Sequence, residues 1–171
     1  YEKGSEVVRM IRTILGDVAF NAGLSLYFDR HDGDAATIEN FLACFEETSG
    51  RDLSQFSLWY HQAGTPTVMV TADYSKVTKK FTLEFEQVSK PTPGESRKRL
   101  MHIPVKFALI GKNGAKIQHL NVEGSGISAD VIHLRKKKQR FVFNGIAERP
   151  IASLLRGFSA PVTLAFEQNP E

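Results

Sequence analysis

The side chains best suited to chemistry here are five histidines, His31, His61, His102, His119 and His133, together with Cys44, clustered carboxylates and an N-terminal phenol, Tyr1. Zinc-peptidase catalysis needs two histidines on one helical face plus a third ligand, the pattern His-Glu-x-x-His. No His-Glu pair occurs, and no two of the histidines lie four residues apart. The spacing therefore predicts no metal site built from this chain. Asp29, His31, Asp32 and Asp34 crowd together but lack the spacing of a calcium loop, and turn and cap roles account for them. Cys44 is the single cysteine, which rules out an internal disulfide and a thiolate-rich metal site. Its neighbours Phe41, Leu42 and Phe45 mark it as a small buried side chain.

Two further patterns could bind anions. Arg135-Lys136-Lys137-Lys138-Gln139-Arg140 places five positive charges in six residues, and Arg97-Lys98-Arg99 adds three more. Such runs contact phosphates, but no aromatic residue is interleaved for base stacking. The run falls between two apolar stretches, so the expectation is a solvated turn and no nucleic-acid partner. The rival reading is a free-standing binding module that grips an acidic or nucleic-acid partner through these loops. Gly124-Ser125-Gly126-Ile127-Ser128-Ala129 matches a dinucleotide fingerprint in letters. That fingerprint needs a following helix to receive the pyrophosphate, whereas Asp130-Val131-Ile132-His133-Leu134 reads as strand, so the match is chance.

The elements that must hold these residues fall into two kinds. Residues 1–64 carry 5 Lys/Arg against 10 Asp/Glu, residues 65–171 carry 17 against 9, and all seven prolines follow residue 64. A boundary at Gly64-Thr65-Pro66 is expected. Before it the apolar residues recur at helical spacing. Val7, Met10, Ile11 and Ile14 form a first helix with Ser5 as N-cap and Gly16 as its end. A second helix is capped by Asp17 and runs to about Arg30. A third begins at Thr37 with Asn40 and stops at Ser49-Gly50. A fourth, carrying Leu53, Phe56, Trp59 and Tyr60, starts at an Asp52/Gln55 capping box and stops at Ala63-Gly64. From Thr67 the period changes to two. Thr67 to Ala72 and Lys79 to Val88 are expected to pair about a turn at Asp73-Tyr74-Ser75-Lys76. Lys90 to Arg99 reads as an exposed loop. Ile103–Ile110, Ala115–Val122, Ser128–Leu134, Arg140–Phe143 and Pro161–Glu167 bring the total to about seven strands, with a turn of helix at Pro150–Leu155. The fold class expected is α+β in two parts: an all-α piece, then an antiparallel β-sandwich.

Several stretches in this order also resemble one family. Tyr1-Glu2-Lys3-Gly4-Ser5-Glu6-Val7-Val8-Arg9-Met10 is similar to the Tyr-x-Lys-Gly segment of bacterial aminopeptidases N, zinc exopeptidases with a thermolysin-like catalytic domain. The likeness continues in Leu26-Tyr27-Phe28-Asp29-Arg30-His31-Asp32-Gly33, in Trp59-Tyr60-His61-Gln62-Ala63-Gly64-Thr65-Pro66 and, more faintly, in Phe158-Ser159-Ala160-Pro161-Val162.

The resemblance implies that residues 1–64 are the C-terminal helical part of the catalytic domain and 65–171 a linking β-sandwich. It implies that Tyr1 is catalytic, donating a hydrogen bond to the oxyanion of the tetrahedral state. Glu2 and Lys3 are expected only to start a solvated helix. The zinc ligands and the general base of the parent enzyme are expected upstream, so zinc is the parent's cofactor and the isolated chain is inactive. The partners implied are the rest of that chain, namely the zinc-binding half-domain and a helical domain, and a peptide substrate. No apolar run approaches the roughly 20 residues needed to span a bilayer, so no membrane partner is expected, and a bacterial cytoplasmic location fits the lone cysteine. Alone, the helical piece is expected to expose apolar surface and self-associate.

Overall fold

The computed structural model describes residues 2–118 and 121–166 of the 171. The chain divides into two compact units, Tyr1–Ala63 and Gly64–Glu171.

The first unit is helical. Helix α1 is Glu2–Leu15, α2 Asp17–His31, α3 Ile38–Ser49 and α4 Leu58–His61. Val7, Met10, Ile11 and Ile14 are the buried residues of α1, the stripe expected from their spacing. Ser5 is not its cap. The helix already runs at Glu2, and the Ser5 hydroxyl donates 2.8 Å to the Glu2 carbonyl, one turn back. Asp17 likewise lies inside the first turn of α2, with Gly16 as the cap residue.

Thr37 and Asn40 form the complete reciprocal box at the start of α3, and Gly50 ends that helix in the left-handed region at φ 65°. Helices α2 and α3 approach closely because Gly23 has no side chain. A Cβ there would lie 2.4 Å from the Phe45 ring, whose other neighbours are Phe20, stacked at 5.3 Å, and Phe41 at 4.8 Å. Arg30 closes the same pair of helices from outside with a two-pronged bond to Glu47 at 2.7 and 2.9 Å.

The fourth helix is shorter than expected. Asp52 accepts from the Ser54 N–H at 2.8 Å, two residues on, which makes a turn rather than a helix cap. The Leu58, Trp59 and Tyr60 N–H groups then bond three residues back, a tight winding that leaves only four α-helical residues. Leu53, Phe56 and Trp59 are still buried.

Among its described residues the second unit has ten strands: β1 Thr67–Ser75, β2 Lys80–Val88, β3 Ile103–Lys106, β4 Ala108–Ile110, β5 Val122–Glu123, β6 Ile127–Ser128, β7 Val131–Leu134, β8 Lys138–Asn144, β9 Ile151–Ser153 and β10 Thr163–Phe166. They form a five-stranded sheet in the order β10-β1-β2-β8-β5, a three-stranded sheet β3-β7-β6 and a pair β4-β9. Pairing is antiparallel except between β1 and β10, which run parallel from Thr67↔Thr163 to Val70↔Phe166. The register Phe81↔Phe143, Leu83↔Phe141 and Phe85↔Gln139 aligns the inward residues of β2 and β8. Phe107 meets Phe143 with ring centroids 5.6 Å apart, and Ile103, Val105, Leu109 and Ile132 are fully buried with them.

The count exceeds seven because several apolar stretches break. Ser128–Leu134 becomes β6 and β7 around Ala129, which sits at φ 51°. Within Ala115–Val122 the described pairing is a bridge at Lys116 and β5 from Val122, while residues 119 and 120 lie outside the described residues. The first hairpin turns at residues 76–79 and not at 73–76, since β1 continues to Ser75 against Lys80. Pro150–Leu155 holds no helix: Ile151–Ser153 pairs with β4, and a 3-10 turn follows at Arg156–Phe158. Pairing with an available strand wins there over a local helical turn.

Candidate functional site

Tyr1, the one catalytic residue expected from the sequence, lies outside the described residues. What the structure does place is its helix. Glu2, Lys3 and Gly4 form the exposed first turn of α1, and the buried stripe from Val7 onward anchors that helix in the unit. At the other end of the unit, His61 reaches Glu39 at 3.4 Å. Bonding by its own backbone N–H, then by Thr37, holds the Glu39 carboxyl below the usual range. Burial pushes the neighbouring Tyr60 phenol up.

The carboxylates and histidine after α2 form no metal cage. The Asp32 N–H donates to the Phe28 carbonyl at 3.0 Å and the Asp34 N–H to the His31 carbonyl at 3.1 Å, so this segment is a helix end and a turn. His31 lies against the Tyr27 ring at 5.5 Å. Among the described residues there is no group of three or more His, Cys, Asp or Glu that could hold a metal ion. A zinc site does not fit the residues described here. His119 lies outside them. Cys44 is buried on α3, and Arg30 next to it is engaged by Glu47, which lowers the Glu47 carboxyl by hydrogen bonding.

The basic run is not one exposed turn. Strand β8 begins at Lys138, earlier than the expected Arg140, because the Glu residues of β2 face it. Lys138 pairs with Glu86 at 3.2 Å and Arg140 with Glu84 at 3.3 Å. Those pairs remove two cations from the set a nucleic acid would need. Lys136 and Lys137 remain at the turn, whose backbone is gripped by Gln87 and Gln139. Beside the ion pairs, Met69 and Thr71 help line a groove of about 520 Å³. The Gly124–Ala129 match sits in a hairpin that leads into β7, so no helix N-terminus is present to hold a pyrophosphate.

One constellation was not legible in the sequence. His102 and His133, both buried, meet with Nε2 and Nδ1 at 3.1 Å, and the Ser128 hydroxyl lies 3.2 Å from His133 Nε2. They are 31 residues apart in sequence and come together through the β3–β7 register, Ile103↔Leu134. No spacing rule announces a register.

Similarity to known proteins identifies the chain. Residues 64–167 match a family described as a domain of unknown function, DUF3458, with an Ig-like fold. The chain belongs to that family. Residues 1–60 match the Peptidase family M1 domain. Aminopeptidase N of Escherichia coli K12 is 42% identical over 98% of the chain, and that of Haemophilus influenzae is 43% identical over all of it. The crystal structure of Legionella pneumophila aminopeptidase A in complex with aspartic acid superposes with a TM-score of 0.83 at 30% identity, covering 99% of this chain. The chain spans only about a fifth of these proteins, 19% of each aminopeptidase N and 18% of the Legionella chain. Its sequence and fold are those of a segment of a bacterial aminopeptidase N. The DUF3458 unit contains the histidine pair, and the M1-like unit contains α1 and the position of Tyr1.

Proposed function

We propose that this chain works as part of a zinc aminopeptidase that removes N-terminal residues from peptides. The observation that carries the reading is end-to-end similarity to aminopeptidases N at 42–43% identity, with M1 and DUF3458 matches side by side. In this reading residues 1–64 complete a thermolysin-like catalytic domain and residues 65–171 form the β-sandwich that links it to further sequence. Zinc, if the parent carries it, is held by residues outside this chain and supplies Lewis acidity there. The enzyme acts in the bacterial cytoplasm.

The chain's own contribution to chemistry is the Tyr1 phenol. As water adds to the scissile carbonyl, negative charge grows on the carbonyl oxygen, and a phenol O–H held at hydrogen-bond distance stabilises that oxyanion. Holding it at that distance falls to the zinc-bearing part of the parent, while in this chain the buried Val7, Met10 and Ile11 anchor the helix that follows Tyr1 in sequence. Removing one such donor lowers kcat by about 100-fold or more.

The test is Tyr1→Phe in the full-length parent, with the 171-residue chain assayed beside it. The expected result is a kcat loss of that size with KM and bound zinc unchanged, and no peptidase activity or stoichiometric zinc in the short chain. Full activity of the Tyr1→Phe enzyme would remove the assigned role. One zinc per short chain would overturn the assignment of the ligands to other sequence.

A further inference from the structure

The buried histidine pair has a proton count that the rest of the β unit makes consequential. Nε2 of His102 and Nδ1 of His133 stand 3.1 Å apart, a hydrogen bond in which one nitrogen carries the proton and the other accepts it. Ser128, both donor and acceptor, completes either tautomer from the far side of His133 at 3.2 Å. Two imidazolium rings cannot occupy this arrangement. Each would present an N–H to the other at hydrogen-bond distance, with His102 and His133 only 1% and 6% exposed. The folded pair therefore holds at most one added proton, whereas two separated histidines in an opened chain take up two.

Among the described residues, the elements around the pair carry mostly positive charge. Ahead of β3 lie Lys98, bonded to Glu95 and Thr92, and Arg99. At the far end of β3, Lys106 pairs with Asp130 beside β7. The turn after β7 carries Arg135, Lys136 and Lys137, and β8 carries Lys138 and Arg140, which take the carboxylates Glu86 and Glu84 of β2. Arg156, in the 3-10 turn that packs on β3, donates to the Ser153 hydroxyl. Strand β6 has no charged residue. Among the described residues of these elements, Glu84, Glu86, Glu95 and Asp130 each pair with a cation, and the cations named outnumber them, which disfavours a further cation between them.

The pair is also mechanically placed. The His133 N–H donates to the Gly126 carbonyl at 2.6 Å, and the His133 carbonyl accepts from Gln139 Nε2 at 3.2 Å. Gln139 Oε1 accepts from the Arg135 and Lys136 N–H groups at 2.6 and 2.9 Å. On the His102 side, Gln87 bonds both backbone groups of Met101 and reaches the Lys136 carbonyl at 3.1 Å. A shift of either ring is passed directly to the β6–β7 hairpin and to the basic turn.

We propose that His102, His133 and Ser128 form a proton-sensitive latch that holds the corner from Gly124 to Gln139 closed near neutral pH and releases it in mild acid. Opening takes up at least one proton, so its equilibrium constant rises at least tenfold for each pH unit once the released histidines protonate, below about pH 6. The β1–β2 hairpin, which contains neither histidine, keeps its pairing over the same range.

The test is amide hydrogen exchange on the 171-residue chain, corrected for intrinsic rates, from about pH 7.5 to 5. Protection factors at Val131–Leu134 are expected to fall about tenfold per pH unit below about pH 6 while those of β1 and β2 hold. Replacing both rings, His102→Gln together with His133→Gln, removes both titrating groups and is expected to abolish that slope. Equal slopes in the two proteins would overturn the latch. If the double variant does not fold, ring nitrogen shifts of the unsubstituted chain decide. Two imidazolium rings in a chain whose β7 amides remain protected refute the proposal; loss of β7 protection before the second ring protonates supports it.

Discussion

The two units solve the problem of holding a chain together over different distances. In the helical unit the decisive bonds are local. Thr37 and Asn40 cap each other three residues apart, and Gly50 closes α3 onto Glu46. A longer tie is Arg51 donating to the Ile14 carbonyl, which caps the C-terminal end of α1. The β unit depends on partners far apart in sequence: β1 on β10 at Thr67↔Thr163, β2 on β8 at Lys80↔Asn144, and His102 on His133. Local contacts form early and are forgiving of changes elsewhere, whereas long-range pairings must close large loops before they are rewarded. The charges follow suit. The acidic helical unit pairs its charges at its surface, as in Arg30 with Glu47, while the basic β unit matches Glu84 and Glu86 to Arg140 and Lys138 across a strand boundary.

The sharpest way to test that contrast is to remove one long-range core residue. Phe141→Ala, in the fully buried register opposite Leu83, is expected to lower stability by about 3–5 kcal/mol, read from the midpoint of chemical denaturation. In the helical unit the comparable lesion is an added methyl. Gly23→Ala forces a Cβ into the Phe45 ring and is expected to lower stability by about 1–3 kcal/mol, followed by the fluorescence of Trp59, the one tryptophan. Thr37→Ala removes half of the local capping box and is expected to lower stability by about 1 kcal/mol by the same readout. A Thr37→Ala effect as large as that of Phe141→Ala would break the distinction between local and long-range determinants.

The smallest expected effect concerns acid. Arg30 holds the Glu47 carboxyl below its ordinary value, so the stabilisation is present above the unfolded-state value and is lost as pH falls through the folded one. Arg30→Gln should therefore flatten the pH dependence of the helical unit only in the carboxylate range. The histidine latch acts in the β unit at higher pH. A single acid transition common to both, unaffected by Arg30→Gln, would erase the difference between the units.

How much was readable in advance follows the same division. The stripe from Val7 to Ile14, the Thr37 box and the Gly50 stop were legible because helical periodicity and capping are properties of neighbouring residues. Asp52 misled because a side chain two residues from its donor can close a turn as well as start a helix, and the backbone decides which. In the β unit, alternation marked β1 and β2 correctly to within their turn. It missed the division at Ala129, the strand at Ile151 and the earlier start of β8, because each depends on which strand lies alongside. The role proposed for Tyr1 rests on resemblance to a family motif, and nothing in its local spacing points to it.

The sequence by itself determined that this chain has an acidic helical part and a basic strand-forming part, and that it lacks the ligand spacing of a zinc site. These follow from composition and from periods of about 3.6 and 2, which need no knowledge of distant residues. Tertiary structure alone decided the parallel return of β10 beside β1, the pairing of the basic run with Glu84 and Glu86, and the meeting of His102, His133 and Ser128. Each of these is a matter of register between strands, and register is set by the collective fit of a buried face.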